Sequence, residues 1–194
     1  MTRHSLSSVA VYCGSSPGIS IDYANAARDL AEALFEADVA LVYGGSSKGT
    51  MGAIADHMLA LGGSVTGVIP QSLVDKEVAH HGLSELIVTD SMHERKAIMV
   101  EKCDGFIALP GGTGTLEEII ETLTWAQLRF HDKPCGLLNV QGYYDSLMAF
   151  LDHAEAQEFL RSGHRRMLQV DNDPRCLLRK FANYEPEFVQ KWVD

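Results

Sequence analysis

G-F-I-A-L-P-G-G-T-G-T-L-E-E, residues Gly105–Glu118, decides how this chain is read. Phe106–Leu109 is a short apolar run, long enough for a buried strand, and it stops at Pro110, which cannot extend a central ladder. Gly111, Gly112 and Gly114 then allow a tight turn and a close approach to a ligand. From Thr115 to about Arg129 the pattern is helical, with Leu116, Ile119, Ile120 and Leu123 at spacings of three and four. A strand, a glycine loop and a helix aim backbone N–H groups and a helix dipole at a phosphate. Glu117 and Glu118 stand beside that anion site, where a site for phosphate alone would not place them. They point to chemistry or sugar binding on the same ligand. Thr115 and Glu118 also have the T-x-x-E spacing of a capping box, which gives Glu118 a purely structural alternative.

The same alternation runs outward in both directions. Strands are expected at Val9–Cys13, Val39–Tyr43, Val65–Ile69, Leu86–Val88, Cys135–Leu138 and Met167–Val170. Helices are expected over Asp22–Ala37, about Met51–Leu61, Met92–Lys102, Tyr143–Glu158 and Pro174–Ala182. Gln71–Gly82 is polar and aperiodic and reads as a loop or a short helix. Continuous apolar strands alternating with helices predict an α/β three-layer sandwich on a central parallel sheet, with 1–194 as one domain. Three strands end in glycine-rich loops, at Gly14, Gly44-Gly45 and Gly111-Gly112. Ligands of open α/β sheets bind at the carboxyl ends of strands, so the three loops should meet around one crevice.

Composition narrows the partners. A net charge of −10 argues against nucleic acid or an anionic membrane as the main partner, while local backbone dipoles can still hold a small phosphate ligand. No apolar run approaches the length of a membrane span, and Met1–Ser8 lacks the apolar centre of a signal peptide. Cys13, Cys103, Cys135 and Cys176 are scattered, as expected of reduced thiols in a cytoplasmic protein, and zinc is not expected without paired ligand spacing. In Gly44–Thr50 the lysine precedes the last glycine, so the loop is not the G-x-x-x-x-G-K-[ST] of a kinase or ATPase. No G-x-G-x-x-G, G-x-S-x-G or deaminase zinc motif occurs.

Ser91-Met92-His93-Glu94 spells a capping box with Ser91 as N-cap, which puts Arg95 and Lys96 in the first turns of a helix. Cations there oppose the macrodipole at a cost of roughly 0.3–1 kcal/mol each. An anionic ligand would offset that cost; a solvated pair near Asp90 and Glu94 is the plain alternative. His80, His81, His131, His153 and His164 show no ligand spacing.

C-G-S-S at Cys13–Ser16, V-Y-G-G at Val42–Gly45, G-V-I-P at Gly67–Pro70, M-H-E-R-K at Met92–Lys96 and P-G-G-T-G-T-L-E-E at Pro110–Glu118 stand in order. W-A-Q-L at Trp125–Leu128 and L-L-N-V-Q-G-Y-Y at Leu137–Tyr144 continue the pattern. Over about residues 8–180 the chain resembles the Lonely Guy family, cytokinin riboside 5′-monophosphate phosphoribohydrolases often labelled lysine decarboxylases. The resemblance implies a Rossmann-like homodimer that cleaves the N-glycosidic bond of a nucleoside 5′-monophosphate, with no metal or organic cofactor. It implies Arg95 and Glu118 as catalytic residues. It implies substrate contacts from Glu77, Lys96, Gly111, Gly112, Thr113, Gly114, Thr115, Leu116, Glu117 and Thr124. Ser46 and Thr50 depart from the family's usual second loop, which bears on base preference more than on the reaction. A nucleosidase acting on plain AMP and a non-catalytic nucleotide sensor are the alternatives. An aromatic-bearing tail, with Tyr184, Phe188 and Trp192, fits the expected dimer.

Overall fold

The computed structural model describes residues 6–76 and 78–186. Its strands are β1 (Ser8–Tyr12), β2 (Ala40–Tyr43), β3 (Val65–Pro70), β4 (Glu85–Thr89), β5 (Gly105–Ala108), β6 (Cys135–Leu138) and β7 (Leu168–Asp171). They form one parallel seven-stranded sheet in the order β4-β3-β2-β1-β5-β6-β7. The helices are α1 (Ile21–Glu36), α2 (Gly49–Ala60), α3 (Gln71–Val74), α4 (Met92–Lys102), α5 (Thr113–Gln127), α6 (Asp145–Ala156), α7 (Ser162–Arg166) and α8 (Pro174–Ala182).

The period-two alternation of the strands builds two cores. Val9 and Val11 of β1 and Ile107 of β5 face α1, α2 and α8, where they meet Leu30, Leu34, Ile54, Met58, Leu177 and Phe181. Ala10, Tyr12, Phe106 and Ala108 face the opposite way, onto Met99 of α4 and Ile119 and Leu123 of α5. The expected three-layer sandwich is therefore observed. Chain order runs outward from β1 to β4 and then returns to place β5 on the other side of β1. That reversal is the topological switch point, and it brings the loops after β1 and β5 side by side.

Local sequence accounts for the helix starts. Ser20, Ser91 and Asp173 accept N-terminal amides of α1, α4 and α8, from Asp22, Glu94 and Cys176 respectively. In α4 the Glu94 carboxylate reaches back one residue past the cap and accepts the Asp90 N–H at 2.8 Å. Two helices start on glycine loops without a side-chain cap. α2 follows Lys48 and α5 follows Gly112.

Boundaries differ from expectation at informative places. α5 begins at Thr113, two residues before the apolar pattern starts, because Gly112 is the N-cap. Thr115 therefore lies inside the first turn, and the T-x-x-E spacing is not a capping box. α6 begins at Asp145, after a 3-10 turn at Val140–Gly142 in which Gln141 takes φ +52°. α7 has only five residues, too few for a readable period. Gln71–Gly82 contributes the single turn α3 and a bridge between Ser46 and Ala79.

Candidate active site

The three glycine loops meet, as expected. A Cβ on Gly14 would lie 3.5 Å from Gly111 Cα, and one on Gly49 would lie 2.4 Å from the Ser15 backbone. The loops after β1 and β5, with Tyr23, Thr50 and Tyr143, wall a cleft of about 280 Å3.

The two uncapped helix starts have different fates. At α2 the Gly14 carbonyl accepts the Thr50 and Met51 amides at 3.1 and 3.3 Å and the Thr50 hydroxyl at 3.0 Å. Two of the first-turn donors of that helix are thus met by protein. At α5 no side chain caps the helix, and the amides of Thr113, Gly114 and Thr115 belong to the first turn, where no intrahelical acceptor exists. A Cβ on Gly112 or Gly114 would meet nothing within 4 Å. Free donors, a dipole end and open space together describe an anion site at Gly112–Thr115. Gly111 serves a different need. A Cβ there would fall 2.1 Å from the Thr115 hydroxyl, so the glycine lets the first turn of α5 fold back under the loop. Leu116 is half-buried; its amide donates to the Gly112 carbonyl and its side chain packs on the α4–α5 core.

Arg95 and Lys96 are not a solvated pair. Arg95 is 4% exposed, and its Nε–H donates to the Val68 carbonyl of β3 at 2.9 Å. Its Nη1 pairs with Glu118, itself 7% exposed. Its Nη2 lies over Gly44, where a Cβ would come within 2.5 Å. Lys96 reaches Glu117 at 2.6 Å and Glu121 at 2.8 Å. Two cations of α4 thus clasp three carboxylates of α5. The anionic partner that first-turn cations require is in part the protein itself.

Burial pushes the Glu118 carboxyl above its ordinary value of 4.5, and Arg95 restrains the rise without cancelling it. Burial also works against the charge on Lys96, but Glu117 and Glu121 outweigh it, so the ammonium is held more firmly than usual. A buried ion pair is a poor stability device, since well-packed apolar residues in its place are often neutral or better by about 1–4 kcal/mol. With Glu118 in the first turns of α5, whose start has free donors, the Arg95–Glu118 pair is a candidate for chemistry on a bound anion.

The remaining residues fall as follows. Thr113 and Gly114 are exposed at the start of α5, and Thr115 is buried against Gly111. Thr124 stands apart. It lies two turns further along α5, its hydroxyl donates to the Ile120 carbonyl at 2.7 Å, and it borders a separate cleft with Leu151, Leu160 and His164. Glu77, Phe188 and Trp192 lie outside the described residues. Ser46 accepts the Lys48 amide at 3.2 Å within the second loop, whereas Thr50 donates to the Gly14 carbonyl and ties the start of α2 to the loop after β1. Sequence reasoning missed Gly44 as a seat for Arg95 and Glu121 as a second anchor for Lys96. The i, i+4 spacing of Glu117 and Glu121 was the available signal for the latter. Among the described residues, no group of three or more His, Cys, Asp or Glu could hold a metal ion, and no helix is long and apolar enough to cross a membrane.

Comparison with known proteins adds an independent line. Residues 51–181 match the family model described as "Possible lysine decarboxylase". A "Probable cytokinin riboside 5'-monophosphate phosphoribohydrolase" of Oryza sativa subsp. japonica is 48% identical over 178 residues, 92% of this chain and 78% of that one. A cytokinin riboside 5'-monophosphate phosphoribohydrolase of Arabidopsis thaliana is 44% identical over 195 residues, 99% of this chain and 92% of that one. Among solved structures, the molybdenum cofactor carrier protein of Chlamydomonas reinhardtii superposes with a TM-score of 0.69 at 19% identity, covering 91% of this chain and 98% of that one. The molybdenum cofactor binding protein of Rippkaea orientalis gives 0.66 at 22% identity, covering 89% and 93%. At such identities the structures share the fold alone.

Proposed function

We propose, from the premise that the chain belongs to the family of cytokinin riboside 5′-monophosphate phosphoribohydrolases, that it hydrolyses the N-glycosidic bond of an N6-modified adenosine 5′-monophosphate. The products are the free base and ribose 5-phosphate. The observation that carries this reading is the buried Arg95–Glu118 pair beside the uncapped start of α5.

The 5′-phosphate sits at Gly111–Thr115, held by first-turn amides and the helix dipole. The bond between ribose C1′ and the base nitrogen breaks, its electron pair leaves with the base, and positive charge spreads over C1′ and the ring oxygen. Glu118 stabilises that charge as a carboxylate and accepts a proton from the water that attacks C1′. Arg95 keeps the carboxylate ionised and aimed; the departing base takes up one proton from solvent, balanced by the proton that Glu118 takes from the water and then releases. Lys96, Glu117 and Leu116 flank the ribose. This reading spans 1–194 as one hydrolase domain working in the cytoplasm, in keeping with its four free cysteines. The working unit is a homodimer. Val88, Met92 and Phe130 are large apolar side chains left exposed at 45%, 45% and 72%, and the family resemblance is what adds Glu77 and Thr124 to the substrate contacts.

The test is a side-by-side time course with isopentenyladenosine 5′-monophosphate, AMP and isopentenyladenosine, with released base read by chromatography. The prenylated monophosphate should be cleaved fastest. Equal rates for nucleoside and monophosphate would remove the phosphate site, and no release from any substrate would leave a binding protein.

A further inference from the structure

The glycine loop that holds the anion site contains a peptide with little intrinsic preference for either orientation. Between Gly111 and Gly112 neither residue carries a Cβ, so rotating the peptide plane meets the least steric resistance available to a chain. The orientation must then be set by partners. On the carbonyl side there is one. The Tyr143 hydroxyl donates to the Gly111 carbonyl at 2.6 Å. This peptide is trans, so the Gly112 N–H points away from Tyr143, and it takes no acceptor among the described residues. A flipped peptide would exchange the two, turning a carbonyl dipole toward the anion.

Tyr143 is itself held in place. Its ring packs edge-on against Tyr144, with centroids 5.1 Å apart, and against Tyr23 at 5.8 Å. The Tyr144 hydroxyl in turn donates to the Leu109 carbonyl at 2.6 Å, at the end of β5. Adjacent tyrosines of the loop after β6 therefore grip the strand end and the glycine loop separately. Tyr144 is 1% exposed and belongs to the core, whereas Tyr143 is 43% exposed and borders the cleft. An exposed tyrosine on a loop carbonyl adds little to the fold, which leaves loop geometry as its use.

We propose that Tyr143 is a positioning residue of the phosphate site, fixing the Gly111–Gly112 peptide with its N–H available to the anion. This rests on the phosphate reading of the loop, and the test separates the two. Tyr143→Phe keeps the ring packing and removes the donor. Ribose 5-phosphate and inorganic phosphate are titrated calorimetrically into wild type and variant, and kcat and KM are measured for isopentenyladenosine 5′-monophosphate and its nucleoside. The Kd for ribose 5-phosphate and the KM for the monophosphate should rise together by about 3–10-fold, the size of one ordinary hydrogen bond. The preference in kcat/KM for monophosphate over nucleoside should shrink by the same factor. A merely structural role would lower Tm and leave that preference unchanged, which overturns the inference. Unaltered Kd and KM in the variant also overturn it, as does a wild type that binds neither ribose 5-phosphate nor phosphate. A wild type that binds both without hydrolysing any nucleotide overturns the proposed function and leaves the role of Tyr143 standing if its Phe variant binds more weakly.

Discussion

Gly44→Ala is the sharpest test of how Arg95 is held. The new methyl carbon would lie 2.5 Å from Arg95 Nη2, where ordinary contact begins at 3.4 Å, so one of the two must yield by about 0.9 Å. Gly44 is backbone at the end of a central strand, and the guanidinium is the far end of a flexible side chain, so Arg95 moves. A shift of that size would stretch the 2.9 Å bond from Nε to the Val68 carbonyl beyond hydrogen-bond range and displace Nη1 against Glu118 without breaking their pairing. Losing one charged hydrogen bond costs roughly 1.5–3 kcal/mol. In a domain of this size that lowers Tm by roughly 3–12 °C, which leaves the protein folded at assay temperature. Misplacing a catalytic group by about 1 Å costs on the order of 10²-fold in rate. Gly44→Ala should therefore stay folded by circular dichroism while kcat/KM for isopentenyladenosine 5′-monophosphate drops about a hundredfold. A variant within threefold of wild type would show that the seat of Arg95 does not matter to the reaction, and the catalytic assignment of the pair would lose its geometric basis.

Glu118→Gln should fold and lose about 10²–10⁴-fold in turnover, the usual span of a general base; a loss below threefold returns Glu118 to a structural role. Because burial raises the Glu118 pKa, the native state holds that proton more tightly than the unfolded chain does. The site's contribution to stability therefore falls as pH rises from about 4.5 through the folded value, and the slope of Tm against pH in that window should be weaker in Glu118→Gln. The acid limb of kcat/KM should lie above 4.5 for the same reason, since the carboxylate is the working form. Gly112→Ala has open space for its methyl and should keep its Tm, yet the methyl fills the anion site, so KM for the monophosphate should rise at least tenfold; an unchanged KM would place the phosphate elsewhere. Light scattering at micromolar concentration should give a mass above the 21.2 kDa of one chain, and 21.2 kDa itself would reject the dimer.

Much of this architecture is legible in the chain because its inner strands, such as β1, β2, β5 and β6, are buried on both faces and read as short apolar runs. The glycine stops after β1, β2 and β5 announce where the crevice lies. What could not be read are relations between distant segments. Nothing local to Arg95 says that Glu118 lies against it, since the two approach only when α4 and α5 pack on the same face of the sheet. Nor does anything local to the α2 and α5 starts say which of these helices, both entered from glycine loops, keeps its first-turn donors free. They are separated by one carbonyl, that of Gly14, which occupies the donors of α2 from 36 residues away in sequence. The start of α5 was misread for a related reason. Apolar periodicity marks the buried part of a helix, and Thr113 and Gly114 point away from the core.

The strand order also has a consequence for how the protein acquires activity. β1 pairs with β2 through contacts about thirty residues apart in the chain, but its other edge waits for β5, with Val9 opposite Gly105 and Tyr12 opposite Ala108. Until that pairing forms, an apolar strand edge stands open, and loop closure over so long a separation is slow and exposes the chain to aggregation. Both loops of the cleft flank that one seam, and Arg95 and Glu118 lie in the helices on either side of β5 in sequence. No partly folded half of the chain can therefore hold a working site. In refolding, catalytic activity should return with the slowest phase, after most of the helical signal has already recovered.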